Sequence, residues 1–257
     1  MPQSLIPLAV SSAIFVCTFA AALLGMALRK RLPDDHLSED SKDVIQLIMG
    51  LIATMAALVL GLLIASANGS YQTESDEVQR ASASIVELGA LLAHYGPEAS
   101  DAHKRLHQAV TAAATKIWRK DPSEPKEPGP AGVPAEGSNF YESIARLSPS
   151  TEAQRFIQKR ALEIGSSLRQ TRALLAEQTA SSLPWPFVTV LVVWISMLFL
   201  GFGLFARANM TVIAAFVTGA LSVASAIFLI LELNDPFGGL MSISDAPLRN
   251  ALATISP

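Results

Sequence analysis

A single cysteine in 257 residues rules out a disulfide within the chain. That residue, Cys17, sits inside an apolar run, where a thiol serves as a small packing group. Charge is scarce as well: 16% of residues are Asp, Glu, Lys or Arg, and they sum to −3. Basic and acidic residues nearly balance across 68–182, so no basic surface is laid out for nucleic acid. No stretch alternates apolar and polar residues for long enough to suggest a strand. Phosphate-binding glycine loops and nucleophile elbows are missing. His94, His103 and His107 share a region but lack the glutamate or cysteine that would complete a metal site. The acidic run Asp34–Asp43 lacks the central glycine and terminal glutamate of a calcium loop. These absences speak against an enzyme, and no metal or other cofactor is expected.

What the chain has is hydrophobic length. Residues of apolar type make up 51% of it, and mean hydropathy is +0.39. Four runs, Leu5–Leu28, Val44–Ala67, Phe187–Ala206 and Thr211–Leu231, each suffice to cross a hydrocarbon core of ~30 Å as a helix. The first is too long for a signal peptide, has no basic residue before it, and is followed by Arg29-Lys30-Arg31, so it reads as a retained span. The expected fold is all-α, with four transmembrane helices and a helical aqueous insertion between the second and third. The boundaries are a first helix pair at 1–67, the insertion at 68–182, a second pair at 183–233 and an interfacial tail at 234–257.

Arg29, Lys30, Arg31 and Lys42 lie in the first connection and Arg207 in the turn between the last two spans, so these connections share one side. The positive-inside rule assigns that side to the cytoplasm of a cell inner (plasma) membrane, which puts the termini and residues 68–182 outside. Within the insertion, Val78, Ala81, Ile85, Leu88, Leu92 and Tyr95 recur at helical steps, continuing the second span until Gly96-Pro97 stops it. A second helix carries Ala102, Leu106, Ala109, Ala113 and Ile117. Residues 121–138 hold five prolines and three glycines and read as a surface loop, with order resuming at Phe140. Thr151-Glu152-Ala153-Gln154 has the form of a capping box that opens a long helix striped by Ile157, Ala161, Ile164, Leu168, Thr171 and Leu175. In the tail, Ser244 or Asp245 suits the cap of a short helix with Pro247 in its first turn. Leu248, Leu252 and Ile255 then share an apolar side suited to the interface.

Two stripes stand out from plain anchors. On the second span Gly50, Thr54, Ala57, Gly61 and Ala65 fall on one face, which serves either as a helix-packing seam or as the wall of a pore. On the fourth, Thr211, Thr218, Ser222, Ser225 and Glu232 share a face, and Asp235 follows at once. The hydroxyls can bond back to their own helix, but an ionisable group at a span end is a candidate for ion contact or gating, set against a structural cap. Thr218, Ser222, Ser225, Glu232 and Asp235 are therefore the pore or gating candidates.

The stretch Leu229-Ile230-Leu231-Glu232-Leu233-Asn234-Asp235-Pro236-Phe237-Gly238-Gly239-Leu240, with Ile243-Ser244 and Pro247–Leu252, resembles the C-terminal signature of a bacterial membrane family of unknown function labelled bestrophin-like. Lys42-Asp43-Val44 before Gly50–Thr54, Tyr95-Gly96-Pro97-Glu98 and Phe202–Ala206 add to the likeness. The resemblance implies a homo-oligomeric anion channel of four spans with a helical aqueous region after the second. It also implies termini in the cytoplasm, opposite to the charge reading, and an aromatic-rich second span, whereas Val44–Ala67 has no aromatic residue. No pore residue is carried over. The expected function is an oligomeric membrane protein that passes small ions, its second and fourth spans lining or flanking a central path. The other reading is a non-conducting scaffold or sensor whose aqueous domain binds a partner or ligand. The expected partners are the lipid bilayer, further copies of the chain and small ions.

Overall fold

The computed structural model describes residues 6–31, 39–118, 135–180 and 185–255. Eight α-helices occupy them: α1 (Ile6–Arg29), α2 (Glu39–Tyr95), α3 (Ser100–Trp118), α4 (Ala135–Ala145), α5 (Glu152–Ala180), α6 (Trp185–Phe205), α7 (Met210–Leu233) and α8 (Ala246–Thr254). No strand occurs among the described residues. The fold is the all-α, four-span type, since α1, α2, α6 and α7 are each long and apolar enough to cross a membrane. Most of the proline-rich stretch 121–138 lies outside the described residues; α4 begins at Ala135, five residues ahead of the expected restart.

The chain divides into two compact units. The first comprises Met1–Tyr71, Ser182–Asp235 and Gly239–Met241. Here α1 packs along α6 and α7, and small residues set how closely. A Cβ added at Gly25 would overlap the Leu200 carbonyl oxygen and lie 2.9 Å from the Leu204 nitrogen. One added at Gly203 would overlap the Ala22 carbonyl and lie 3.2 Å from the Met26 nitrogen. Two backbones thus touch where neither helix has a side chain, a mode of association suited to lipid, where water exclusion supplies no drive. Arg29 Nη1 donates to the Phe205 carbonyl at 2.8 Å and satisfies one of the open acceptors at the end of α6. A second cluster joins Ala56, Leu63 and Ala67 of α2 to Leu191 and Ile195 of α6 and to Ile230 and Leu233 of α7.

The second unit comprises Gln72–Ser181, Pro236–Gly238 and Ser242–Pro257. The apolar stripes have a common destination: Ile85, Leu88, Leu92 and Tyr95 of α2 meet Leu106 of α3, Ile144 of α4, Ala161 and Ile164 of α5, and Leu248, Ala251 and Ile255 of α8. The stripe thins toward the end of α3, where Ile117 is exposed. Gly96 ends α2 at φ 117°, a conformation open to glycine and to few other residues, and Pro97 starts a short 3-10 turn. The capping box forms as its sequence requires. Gln154 N donates to Thr151 Oγ1 at 3.2 Å, and Gln154 Oε1 accepts from Thr151 N at 3.3 Å. The same Gln154 donates through Nε2 to the Tyr95 carbonyl at 3.1 Å, tying the start of α5 to the end of α2. The buried Tyr95 hydroxyl has no hydrogen-bond partner among the described residues. Burial, and then the Glu98 carboxylate, push that phenol above its ordinary pKa.

The tail is part of this second unit. Ser244 Oγ accepts from Ala246 N at 3.2 Å and Pro247 stands in the first turn of α8. A Cβ at Gly89 would overlap the Ile255 side chain, so α8 sits where α2 is thinnest. Trp118 Nε1 donates to the Ile243 carbonyl at 2.9 Å, and the same ring meets Phe237 edge-on at 5.7 Å between centroids.

Candidate functional site

The polar stripe of α7 begins at its N-terminal end, where Asn209 Oδ1 accepts from Val212 N at 2.7 Å and so fixes the first turn. Along the helix, Thr218 Oγ1 donates to the Ala214 carbonyl, Ser222 Oγ to Thr218 and Ser225 Oγ to Leu221, at 2.9, 2.9 and 2.8 Å. All three side chains are exposed on the single chain. A hydroxyl has one proton, and each of these has given it to the helix four residues back, so the outward side offers only oxygen lone pairs. The stripe wets a surface without supplying donors to an anion.

Glu232 has a different environment. Seven residues after Ser225, it lies at the same helical angle, yet it is only 1% exposed. The chain itself covers it. Asp235 N donates to the Glu232 carbonyl at 3.1 Å, Gly239 N returns to the Asp235 carbonyl at 3.3 Å, and Leu240 N donates to Glu232 Oε2 at 2.6 Å. A Cβ on Gly239 would overlap that same oxygen, so the glycine lets the turn close over the carboxylate. Among the gating candidates, then, Thr218, Ser222 and Ser225 line an open face, Glu232 is enclosed by the turn after α7, and Asp235 is half-buried within that turn.

The small-residue face of α2 is open along its whole length. Gly50, Thr54, Ala57, Gly61 and Ala65 are all exposed. A Cβ at Gly50 or Gly61 would find nothing within 4 Å, and Thr54 Oγ1 is bonded back to Leu51 O at 2.7 Å. Beside this face runs a row that the sequence reading passed over: Leu47, Leu51, Leu58 and Leu62, exposed by 75, 62, 72 and 65%. Their spacing of four, seven and four was visible, but in an apolar run leucines carry no contrast. Among the described residues no group of three or more His, Cys, Asp or Glu is arranged to hold a metal ion.

A family model described as a Bestrophin-like domain matches residues 16–248. A comparison with curated proteins found no match. Among solved structures, the chain is similar to a bacterial bestrophin homologue from Klebsiella pneumoniae. The agreement with one of its single-residue variants has a TM-score of 0.69 at 14% identity and covers 97% of each chain. A structure of that homologue phased on zinc gives 0.64 at 14% identity, over 94% of this chain and 96% of the other. At such identity the likeness bears on the fold.

Proposed function

Because this chain belongs to the Bestrophin-like family, we propose that it assembles with copies of itself in the cell inner membrane into an ion channel whose passing ions are anions. The observation that supports this most is the α2 face. Its glycines meet nothing within 4 Å, while Gly25 and Gly203 in the same unit are fully occupied by neighbouring backbone. A face of small residues with no occupant in its own chain suits a water-filled axis shared between copies. The adjoining leucines suit a narrow, poorly wetted section of the same path. Because Thr54, Thr218, Ser222 and Ser225 have spent their protons on carbonyls, ions would pass these walls with their water retained.

Purified protein in liposomes is expected to pass chloride, and Glu232→Gln, which weakens acceptance from Leu240 N, is expected to alter the flux. No flux across a range of ions, pH and voltage sinks the channel reading. One feature favours a non-conducting scaffold or sensor instead: Phe156 on α5 is 70% exposed in the second unit, as a partner-binding surface requires. For orientation, Arg29, Lys30, Arg31 and Arg207 favour residues 68–182 outside, and the bestrophin resemblance favours them inside. A cysteine placed within 121–138, with Cys17 replaced, separates the two by its reaction with an impermeant reagent on intact cells.

A further inference from the structure

Where α7 ends, the chain turns back on itself and presents an apolar tip. Leu240 N donates to Glu232 Oε2 at 2.6 Å, and Gly239 N donates to the Asp235 carbonyl at 3.3 Å. Those bonds hold Leu240 level with the last turn of the span. Gly239–Met241 belong to the unit of the spans, whereas the residues on either side, Pro236–Gly238 and Ser242 onward, belong to the other unit. The two side chains at the tip find little cover within the chain: Leu240 is 83% exposed and Met241 45%. Helix α6 begins at this same end, since Val188 shares a cluster with Ile227, and Leu191 one with Ile230 and Leu233. Its first turn leaves Trp185 and Phe187 exposed.

We infer that the turn at 239–241 enters the membrane, with Leu240 and Met241 seated at the boundary between headgroups and acyl chains of the leaflet at this end. The tip carries no charge that would oppose entry. None stands between Asp235 and Asp245 in the sequence, and of those two the first is half-buried and the second is paired with Arg249 at 3.0 Å. An amide taken into an apolar layer needs a partner, and the amide of Leu240 has a carboxylate oxygen of its own chain. The tip also continues a surface suited to lipid, because Trp185 stands at the same end and its ring favours the headgroup zone. A neighbouring copy is a poorer occupant: a stable protein contact takes on the order of 800 Å² per partner, which two side chains do not supply. Seating at a bilayer interface needs no more than the apolar surface they carry. The inference requires only that α6 and α7 span the bilayer, and it stands whether or not the chain conducts.

The test is depth-dependent fluorescence quenching on the full chain. Leu240→Cys, made together with Cys17→Ala, is labelled with an environment-sensitive fluorophore and reconstituted into phosphatidylcholine vesicles carrying a nitroxide either near the glycerol or near the acyl end. The label is expected to lose roughly half of its emission to the shallow nitroxide and less to the deep one, as a side chain at the headgroup boundary requires. A label at Gln108→Cys, on an exposed position of α3 in the second unit, should be quenched by neither. Circular dichroism checks the fold, and Met241→Cys reads the same tip should Leu240→Cys fail to fold, with the same order of quenching expected. Quenching at the tip no greater than at the α3 position overturns the inference, as does stronger quenching by the deep nitroxide. Efficient disulfide formation between copies through Leu240→Cys also overturns it, by assigning the tip to a neighbouring subunit.

Discussion

At Gly25 and Gly203 an added Cβ would run into the backbone of the facing helix; at Gly50 and Gly61 it would meet nothing within 4 Å. All four are glycines in apolar helices of the same unit, with opposite roles. Between α1 and α6 the missing side chain is already used, and its use is to bring two main chains together. On α2 the same absence remains unspent within one chain, which leaves that face free for another copy or for water. A glycine in a span therefore reports closeness only when its neighbour is known.

The largest expected effect is on the closed side. Gly203→Ala should destabilise the protein by about 1–3 kcal/mol, because the obstructing atom is the Ala22 carbonyl oxygen, which cannot rotate away as a side chain can. Unfolding in detergent followed by circular dichroism measures it, and an unchanged midpoint would break the contrast. On the open side, Gly61→Ala should leave dispersed monomer as stable as before or firmer by about 0.5–1 kcal/mol, the usual gain of alanine over glycine in a helix. If the assembled form loses stability instead, the α2 face is a seam between copies; if only ion flux falls, it is a wall. The smallest effect belongs to Tyr95→Phe, which removes a buried hydroxyl without a partner among the described residues. Its midpoint should stay within about 1 kcal/mol of wild type, on the stabilising side. A larger loss would show that the hydroxyl does have a partner.

Much of this fold could be read in advance. Spans are recognisable because lipid demands about 20 apolar residues at a time, and the Val78–Tyr95 stripe carries the period of a helix that continues past the bilayer, as α2 does through 57 residues. The capping box was legible because its chemistry is local. What escaped notice depends on contacts far apart in sequence. Leu248 and Ile255 had an apolar side suited to the interface, but their cover comes from α2 and its bare Gly89. Glu232 belonged to the hydroxyl stripe by angle, and only the turn closing at Gly239 distinguishes it from Ser225. The repeated glycines of α2 stand out in the sequence, whereas Gly25 of α1 and Gly201 and Gly203 of α6 form no repeat that marks them as packing positions.

One side chain in the second unit bears on how the proposed conduction is tested. Gln154 accepts at Oε1 from Thr151 N and donates at Nε2 to the Tyr95 carbonyl, so one of the contacts between α2 and α5 is made by a neutral amide. An amide neither titrates in the working range nor is screened by electrolyte, unlike the exposed Arg160–Glu87 pair on the same two helices, which contributes little. This contact between α2 and α5 is therefore expected to hold when chloride concentration and pH are varied in a flux assay, while the Arg160–Glu87 pair weakens with salt.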